Sequence, residues 1–545
     1  MAIVSDHLAD NLRTLTALLG GETALPTDPS RLWQESGPNA TLVLRTASGG
    51  HAAVHSRRDP VAEAGQQLDT ALGGRPMPPL IVLVGIGLGY LIDVIEARSA
   101  GTRIVAIEPE PLCIRPLLAR RDFTRLWESG RLLLLWGPDY RGWTSGWQFW
   151  DGLQVDPVTL VHPVLGRQST EGLEGAKQVI ERMVFGARAN AGARESMQAP
   201  YLLNTLRNLP LIAASGNVAD LFDRFRGIPA VLVAAGPSLD RNIKDLPAVE
   251  GRALIISVDT ALRPLLAAGI EPHVVVGLDL QPMNARHISG LGAGLRTWLV
   301  AEGSMDPSAF DGFEGRVMTF RVADHHPWPW LRSIGLDRGL LRAWGSVLST
   351  AWDLARRLGC DPLIFTGADL AYTGNQPYCR NTIYEELWAE SIRHCLSWEV
   401  TWDRWMQKPA LHQPGWNGVT VRTTPTLVAF RDWLVEQSLA TSGLRFINAT
   451  GGGILVGGRF EQLPLDTVIA GLRPVRGLDV VARPIGPTVA LADIVDRVVT
   501  EWRVDVPPLG DWLRILSGGD SVGSLSEVLA GAVAGVRSIR GARPR

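Results

Sequence analysis

Ala230-Val231-Leu232-Val233-Ala234-Ala235-Gly236-Pro237-Ser238-Leu239-Asp240 is the stretch on which the reading of this chain turns. Its opening run is apolar without polar alternation, the pattern of a strand buried on both faces. Gly236 then lets the backbone come close to a ligand, Pro237 fixes φ, and Ser238 or Asp240 can cap a helix that begins near Asn242. Such a turn offers amide donors and a helix N-terminus to a phosphate. The alternative is an ordinary capped strand-to-helix turn, and the acidic strand ends that follow favour the ligand-binding reading.

Downstream, short apolar runs recur at 253–258, 274–278, 297–300, 317–321 and 362–366, with helical spacing through 266 and again over 348–358. Strands alternating with helices predict a parallel sheet covered on both faces. Ligands of such sheets sit beyond the carboxyl ends of the strands. Those ends carry Gly236-Pro237-Ser238, Asp259, Asp279, Glu302 and Asp369, which predicts one cleft. The sequence leaves three roles open for Asp259, Asp279 and Asp369: binding ribose or base hydroxyls, holding Mg²⁺, or acting as general acid or base. Asp369, in Thr366-Gly367-Ala368-Asp369-Leu370-Ala371-Tyr372, is the most pointed of the three. His325-His326 beside Pro327-Trp328-Pro329 reads as a loop pair with a surface or packing role.

Upstream, residues 32–59 alternate apolar and polar positions, predicting a small β cap before a helix at 62–72. Leu80-Ile81-Val82-Leu83-Val84, the loop Gly85-Ile86-Gly87-Leu88-Gly89, a helix to 98 and a second strand ending at Glu108 form a β-loop-α-β unit, hence a Rossmann-like domain. The glycines and Glu108 either seat a nucleotide, with the acid on a ribose hydroxyl, or close a tight turn in a scaffold. Aromatic residues crowd at Trp136, Trp143, Trp147, Phe149 and Trp150, and residues 170–225 have mostly helical spacing.

The fold class expected is therefore α/β, divided as an N-terminal β/α cap at 1–65, a Rossmann-like domain at 66–165, a helical connector at 166–225, a central catalytic domain at 226–390, the C-terminal part of the catalytic region at 391–470 and a helical tail at 471–545. A chain of 545 residues needs several cores, and 46% apolar with 20% charged residues lies in the globular range. With 53 basic against 55 acidic residues and no long basic block, nucleic acid is not an expected partner. The N-terminus lacks the layout of a secretory signal, and the longest apolar run, 80–92, is too short to cross a bilayer and is broken by glycines. Four scattered cysteines, Cys113, Cys360, Cys379 and Cys395, give neither a disulfide framework nor a zinc knuckle. No metal ligand set is assigned, and a cytoplasmic location is expected.

Several motifs follow one another in order: Tyr201-Leu202-Leu203-Asn204-Thr205-Leu206-Arg207-Asn208, the turn through Asp240, Gly269-Ile270-Glu271-Pro272, Gly277-Leu278-Asp279, the helix at 346–359, Gly367-Ala368-Asp369-Leu370-Ala371-Tyr372, and Phe446-Ile447-Asn448-Ala449-Thr450 before Gly452-Gly453. Together they resemble the core of the motility accessory factors, over roughly 199–458. That resemblance implies a sialyltransferase-like central domain and transfer of a nonulosonic acid from a CMP-activated donor to Ser/Thr of flagellin or a similar protein acceptor. The same core is similar to the MptE-like 6-hydroxymethylpterin diphosphokinases, which move pyrophosphate from ATP with Mg²⁺.

In either case the resemblance implies Gly236, Pro237 and Ser238 at the donor phosphate, Asp259 and Tyr372 beside the nucleotide, and Asp279 and Asp369 orienting donor or acceptor. Where many motility accessory factors show a Thr-His pair, this chain has Gln376-Pro377-Tyr378-Cys379-Arg380; if that histidine is the base in relatives, the role falls here to Tyr378 or Asp369, or the chain is a divergent member with another acceptor, and Arg380 is expected to offset charge on the leaving nucleotide. Gly451 likewise stands where an acid is common. A third reading keeps nucleotide binding without turnover, as a flagellin accessory protein.

Overall fold

A computed structural model describes residues 7–475 apart from 20–24, 47, 138–139, 141, 151–156, 169, 324, 334, 393–396 and 407–409, and beyond 475 only scattered positions. The expected helical tail and Cys395 thus lie outside the described residues. The chain divides into two compact units, Met1–Gly192 with Leu439–Ser442, and Ala193–Ser438 with Gly443–Arg545.

The first unit holds an antiparallel three-stranded sheet of β1 (Leu32–Glu35), β2 (Thr41–Arg45) and β3 (His51–Ala53). Beyond it lies a parallel sheet of β4 (Leu80–Val84), β5 (Arg103–Glu108), β6 (Leu132–Trp136) and β7 (Val158–Val161), in the order β6-β5-β4-β7. Every residue of β4 is buried, as its unbroken apolar run requires. The helix Pro60–Leu72 starts where Asp59 accepts from the Ala62 amide at 2.8 Å and stops at Gly73, in the left-handed region. Leu42, Val54, Leu68, Ile81, Leu83 and Ile104 belong to one apolar cluster, so the small sheet and the parallel sheet share a core.

The second unit is built on a nine-stranded parallel sheet: β8 (Gly216–Asn217), β9 (Ala230–Val233), β10 (Leu254–Val258), β11 (Val274–Gly277), β12 (Trp298–Glu302), β13 (Val317–Phe320), β14 (Leu363–Thr366), then, past the hairpin of β15 (Leu411–Pro414) and β16 (Thr420–Thr423), β17 (Phe446–Asn448) and β18 (Phe460–Gln462). Its order is β18-β17-β14-β9-β10-β11-β12-β13-β8. The chain leaves β9 toward β10 on one side and returns to β14 on the other. Register pairs Val233 with Thr366 and with Ser257. The helix Val347–Arg357, capped by Ser346, turns a buried face to the core, where Asp353 is held by Arg356, Arg357 and the Arg342 amide. The α/β class with parallel sheets thus stands.

Candidate active site

In an open parallel sheet the two strands on either side of a reversal leave a crevice at their carboxyl ends. Here those strands are β9 and β14, and the crevice is lined by the 236–238 turn and by Gly367-Ala368-Asp369. The two loops are nearly in contact. A Cβ on Gly236 would lie 2.1 Å from Asp369 Oδ2, and one on Gly367, whose φ is +65°, would lie 2.1 Å from the Ala234 carbonyl oxygen. Only glycine fits at either place.

Ser238 Oγ donates to Asp369 Oδ2 at 2.6 Å, and the Ser238 amide reaches the same oxygen at 3.3 Å. The Gly236 amide goes to the Gly367 carbonyl at 2.8 Å, and those of Leu239 and Asp240 go to Gly236 and Pro237. The turn's amides are therefore spent inside the protein, and the expected amide cradle for phosphate is not what this turn provides. Its helix also begins at Leu239 rather than near Asn242, with Ser238 in helical conformation and its hydroxyl turned to Asp369 instead of capping. The cause is the sheet order, which sets a carboxylate beside the turn.

Asp369 is 1% exposed, and burial pushes its pKa up against the opposing Ser238 hydrogen bond and the charge of Arg241. Among the described residues its Oδ1 makes no hydrogen bond, nor does Thr373 Oγ1, although the Thr373 hydroxyl lies near enough to favour the carboxylate charge. The glycine loop 451–453 closes over this carboxyl. The Ile454 amide donates to the Asp369 carbonyl at 2.8 Å, and a Cβ on Gly453 would fall 2.0 Å from that oxygen. Arg241 donates to the Gly451 carbonyl at 2.8 Å, while Asn242 Nδ2 reaches Thr366 Oγ1, the Ala449 carbonyl and the Thr450 carbonyl within 3.1 Å. Leu370, next in the chain, has φ +50°, a strained value for leucine.

On the other side of β9, Asp259 opens the helix Asp259–Ala267 and accepts from the Thr260 amide at 2.7 Å. Burial, with the Asp279 charge as a lesser cause, pushes its carboxyl up to about 7. Asp279 is half-buried and accepts from the Gln281 amide and from Asn284. Tyr378 stacks on Tyr384 with ring centroids 4.5 Å apart, and Tyr384 also meets Trp388, Trp405 and His287. Burial, the Tyr384 phenol and the Asp259 charge raise the Tyr378 phenol, which keeps it protonated and makes it a poor base. Tyr372 is half-buried and tied through its amide to the Arg422 carbonyl. Arg380 is exposed, its amide bound to Asp240, and borders a cavity of about 410 Å³ with Leu239, Pro264 and Cys379.

Four residues escaped the sequence reading. His287 is buried with Nδ1 unpartnered, and burial with the Arg263 charge holds its pKa near 4, so it is neutral. Arg241, Asn242 and Thr373 frame Asp369. None stands in a pattern that distinguishes it from a surface polar residue. The sequence does space Trp388, Trp398, Trp402 and Trp405 closely, and two of them, Trp388 and Trp405, join the aromatic wall.

Glu302, expected at the cleft, is 1% exposed and consumed by Tyr201 Oη at 2.6 Å and the Ser304 amide at 2.5 Å. It belongs to a clamp in which Asn204 donates to the Leu280 and Ser304 carbonyls and Asn208 to those of Gly303 and Met305. His325 packs edge-on against Tyr201. The Tyr201-to-Asn208 motif thus holds the loops after β11 and β12 in place.

In the first unit, the Gly85-to-Gly89 loop is filled from within. The amides of Ile86 and Gly87 donate to Glu108 Oε2 at 2.7 and 2.9 Å, that of Leu88 to His55 Nε2 at 2.8 Å, and those of Gly85 and Gly89 to backbone carbonyls. Glu108 has no exposed surface, and its Oε1 accepts from the Glu110 amide. Neither the loop nor its acid faces a nucleotide; the scaffold alternative is the one this geometry supports.

Residues 203–375 match the family model described as 6-hydroxymethylpterin diphosphokinase MptE-like. That segment includes Ser238, Asp259, Asp279, Asp369 and Thr373, and stops before Tyr378, Arg380 and the 451–453 loop. A protein of Treponema pallidum (strain Nichols), named "Uncharacterized protein", is 28% identical over 134 residues, 22% of this chain and 34% of that one, so the similarity spans about a third of its length. The chain is also similar to the "Structure of MAf glycosyltransferase from Magnetospirillum magneticum AMB-1", at 16% identity and a TM-score of 0.46, covering 98% of this chain and 86% of that one. Among the described residues no helix is long and apolar enough to cross a membrane.

Proposed function

We propose that this chain is a glycosyltransferase that takes a nonulosonic acid from a CMP-activated donor and places it on Ser/Thr of flagellin or a similar protein acceptor. The observation that carries the reading is the Ser238–Asp369 pair at the sheet reversal of an MptE-like domain, with one buried Asp369 oxygen left unpaired. A buried acceptor without a donor is costly unless a ligand supplies one. The order of motifs from Tyr201 to Gly453 supports the choice of reaction.

In the transfer, the acceptor hydroxyl oxygen bonds to the anomeric carbon, the bond from that carbon to the phosphate oxygen breaks, and CMP leaves with the electron pair. The hydroxyl proton goes to Asp259, the carboxyl of the site held near 7 and hence matched to neutral pH. Arg380 offsets charge on the departing phosphate. Asp279 and the Tyr378–Tyr384 wall orient the acceptor. The reaction is assigned to the cytoplasm, where activated sugars are made.

The description of the matching family model favours a second reading, Mg²⁺-dependent pyrophosphate transfer from ATP. Calorimetric titration with CMP and with ATP, each with and without Mg²⁺, separates the two. Metal-independent CMP binding that disappears in Ser238→Ala and Asp369→Ala is the expected result, followed by a mass gain on flagellin Ser/Thr when the CMP-sugar is supplied. ATP binding that requires Mg²⁺ would replace the proposal with the diphosphokinase. Nucleotide binding without turnover, with a stable flagellin complex that survives both substitutions, would replace it with an accessory protein.

A further inference from the structure

The Asp369 carboxyl poses an electrostatic problem for any nucleotide at the sheet reversal. A carboxylate repels a phosphate, and the 236–238 turn has no amides left to offset it. What Asp369 offers instead is an acceptor: among the described residues its buried Oδ1 makes no hydrogen bond of normal geometry, and the Thr373 hydroxyl, close enough to favour the carboxylate charge, makes none either. Asp369 Oδ1 and the Thr373 methyl lie under Gly452. A Cβ placed there would meet Thr373 Cγ2 at 3.2 Å, Asp369 Oδ1 at 3.3 Å and Arg241 Nη2 at 3.3 Å. Gly452, itself buried, therefore marks a closed window: without a side chain it is a thin cover over Asp369 Oδ1, and the exposed Arg241 guanidinium stands at its rim.

We infer that this window divides the donor nucleotide by chemistry: Asp369 Oδ1 and Thr373 Oγ1 take a hydrogen-bond-donating hydroxyl of the nucleoside, and Arg241 takes the phosphate. The inference rests on the nucleotide-donor reading of the same site. Arg241 now spends one donor on the Gly451 carbonyl, at 2.8 Å. A phosphate competes for that guanidinium, because a charge-assisted hydrogen bond is about twice as strong as one to a neutral carbonyl. Drawing Arg241 off Gly451 removes the tie at the start of a loop that stays anchored at Gly453 by the Trp416 amide, and the residues at 451 and 453, with φ near +70° and no side chains, let Gly451 and Gly452 swing clear of the carboxyl beneath. Gly452 and Thr373 give the nucleoside hydroxyl its place; Arg241 binds the phosphate.

The test compares the full chain with Gly452→Ala, Thr373→Val and Arg241→Gln, using cytidine, CMP and orthophosphate as probes, with thermal melting of each unliganded variant as a check on folding. Gly452→Ala and Thr373→Val are expected to weaken cytidine and CMP by the same factor, about tenfold, the size of one hydrogen bond to a charged partner. Arg241→Gln is expected to weaken CMP about tenfold while leaving cytidine unchanged or tighter. The inference is overturned if Gly452→Ala weakens CMP and orthophosphate but not cytidine, which would put the phosphate in the window, or if all three variants bind as the parent does. Should the parent bind adenosine and ATP in place of cytidine and CMP, the glycosyltransferase reading fails, and the same factors measured with that pair decide the window. Binding of neither pair to the parent overturns both.

Discussion

Two glycine turns follow two buried strands in this chain, and a carboxylate from a neighbouring strand reaches into each. In the first unit Glu108 accepts three amide hydrogen bonds, from Ile86, Gly87 and Glu110, and both of its oxygens are used. In the second, Asp369 accepts from Ser238 with Oδ2, while among the described residues Oδ1 makes no hydrogen bond of normal geometry under a loop of glycines. The turns look alike in sequence, and the first matches the nucleotide-binding pattern better. A fully satisfied buried network stabilises; an incomplete one costs free energy that a ligand can return. The unfinished hydrogen bonding, rather than the glycine spacing, marks the site.

The contrast breaks most sharply if Glu108 is removed. Glu108→Ala leaves three buried amides unpartnered and is expected to destabilise the first unit by about 3 kcal/mol or more. Hydrogen-exchange mass spectrometry on peptides covering residues 80–108 reads this, and protection equal to that of the parent would mean that Glu108 does not hold the loop.

Next in size is a pH effect read in that unit. Burial holds His55 at about 3 and His162 at about 4, below the unfolded value of 6.5, so acid favours the unfolded chain and stability falls as pH drops below 6.5. Burial raises Glu108 from 4.5 to about 7, which acts in the opposite direction: its share of stability falls as pH rises from 4.5 to 7. Between 6.5 and 4.5 two histidine protons oppose one from Glu108, leaving a net slope of about 1.4 kcal/mol per pH unit. Glu108→Gln is expected to steepen that slope about twofold, as read by exchange in the same peptides; an unchanged slope would show that Glu108 carries no extra proton in the fold.

The smallest effect belongs to the second turn. Ser238→Ala removes one hydrogen bond to a buried carboxyl and is expected to cost about 1–2 kcal/mol in urea unfolding. A loss as large as that of Glu108→Ala would erase the distinction between the two turns, since it would make the Ser238–Asp369 pair as structural as Glu108.

How far the sequence reaches follows from the range of the interactions. The strands around Gly236 were legible because continuous apolar runs between helical patterns have few other solutions. Asp259, Asp279 and Asp369 were legible as carboxylates at strand ends, a local property. The bond from Ser238 to Asp369 was not, because it depends on β14 lying beside β9, a choice among sheet orders made by the whole core. For the same reason Glu302 looked available until Tyr201 closed on it, and the 236–238 turn looked like a phosphate cradle until its amides found partners. Arg241, Asn242 and Thr373 carry no pattern at all; their meaning comes from a glycine loop some 80 to 210 positions further along the chain.

The separation of 131 positions between Ser238 and Asp369 also sets when this site can exist. During synthesis the Gly-Pro-Ser turn emerges with four strands of its sheet, β10 to β13, still to come before β14 supplies the carboxylate, and the 451–453 loop follows about 80 residues later. Contacts of such high contact order close late and slowly. A nascent chain therefore completes this candidate site only when nearly all of its parallel sheet is in place, so a partly made copy carries the Gly-Pro-Ser turn without the carboxylate that meets it.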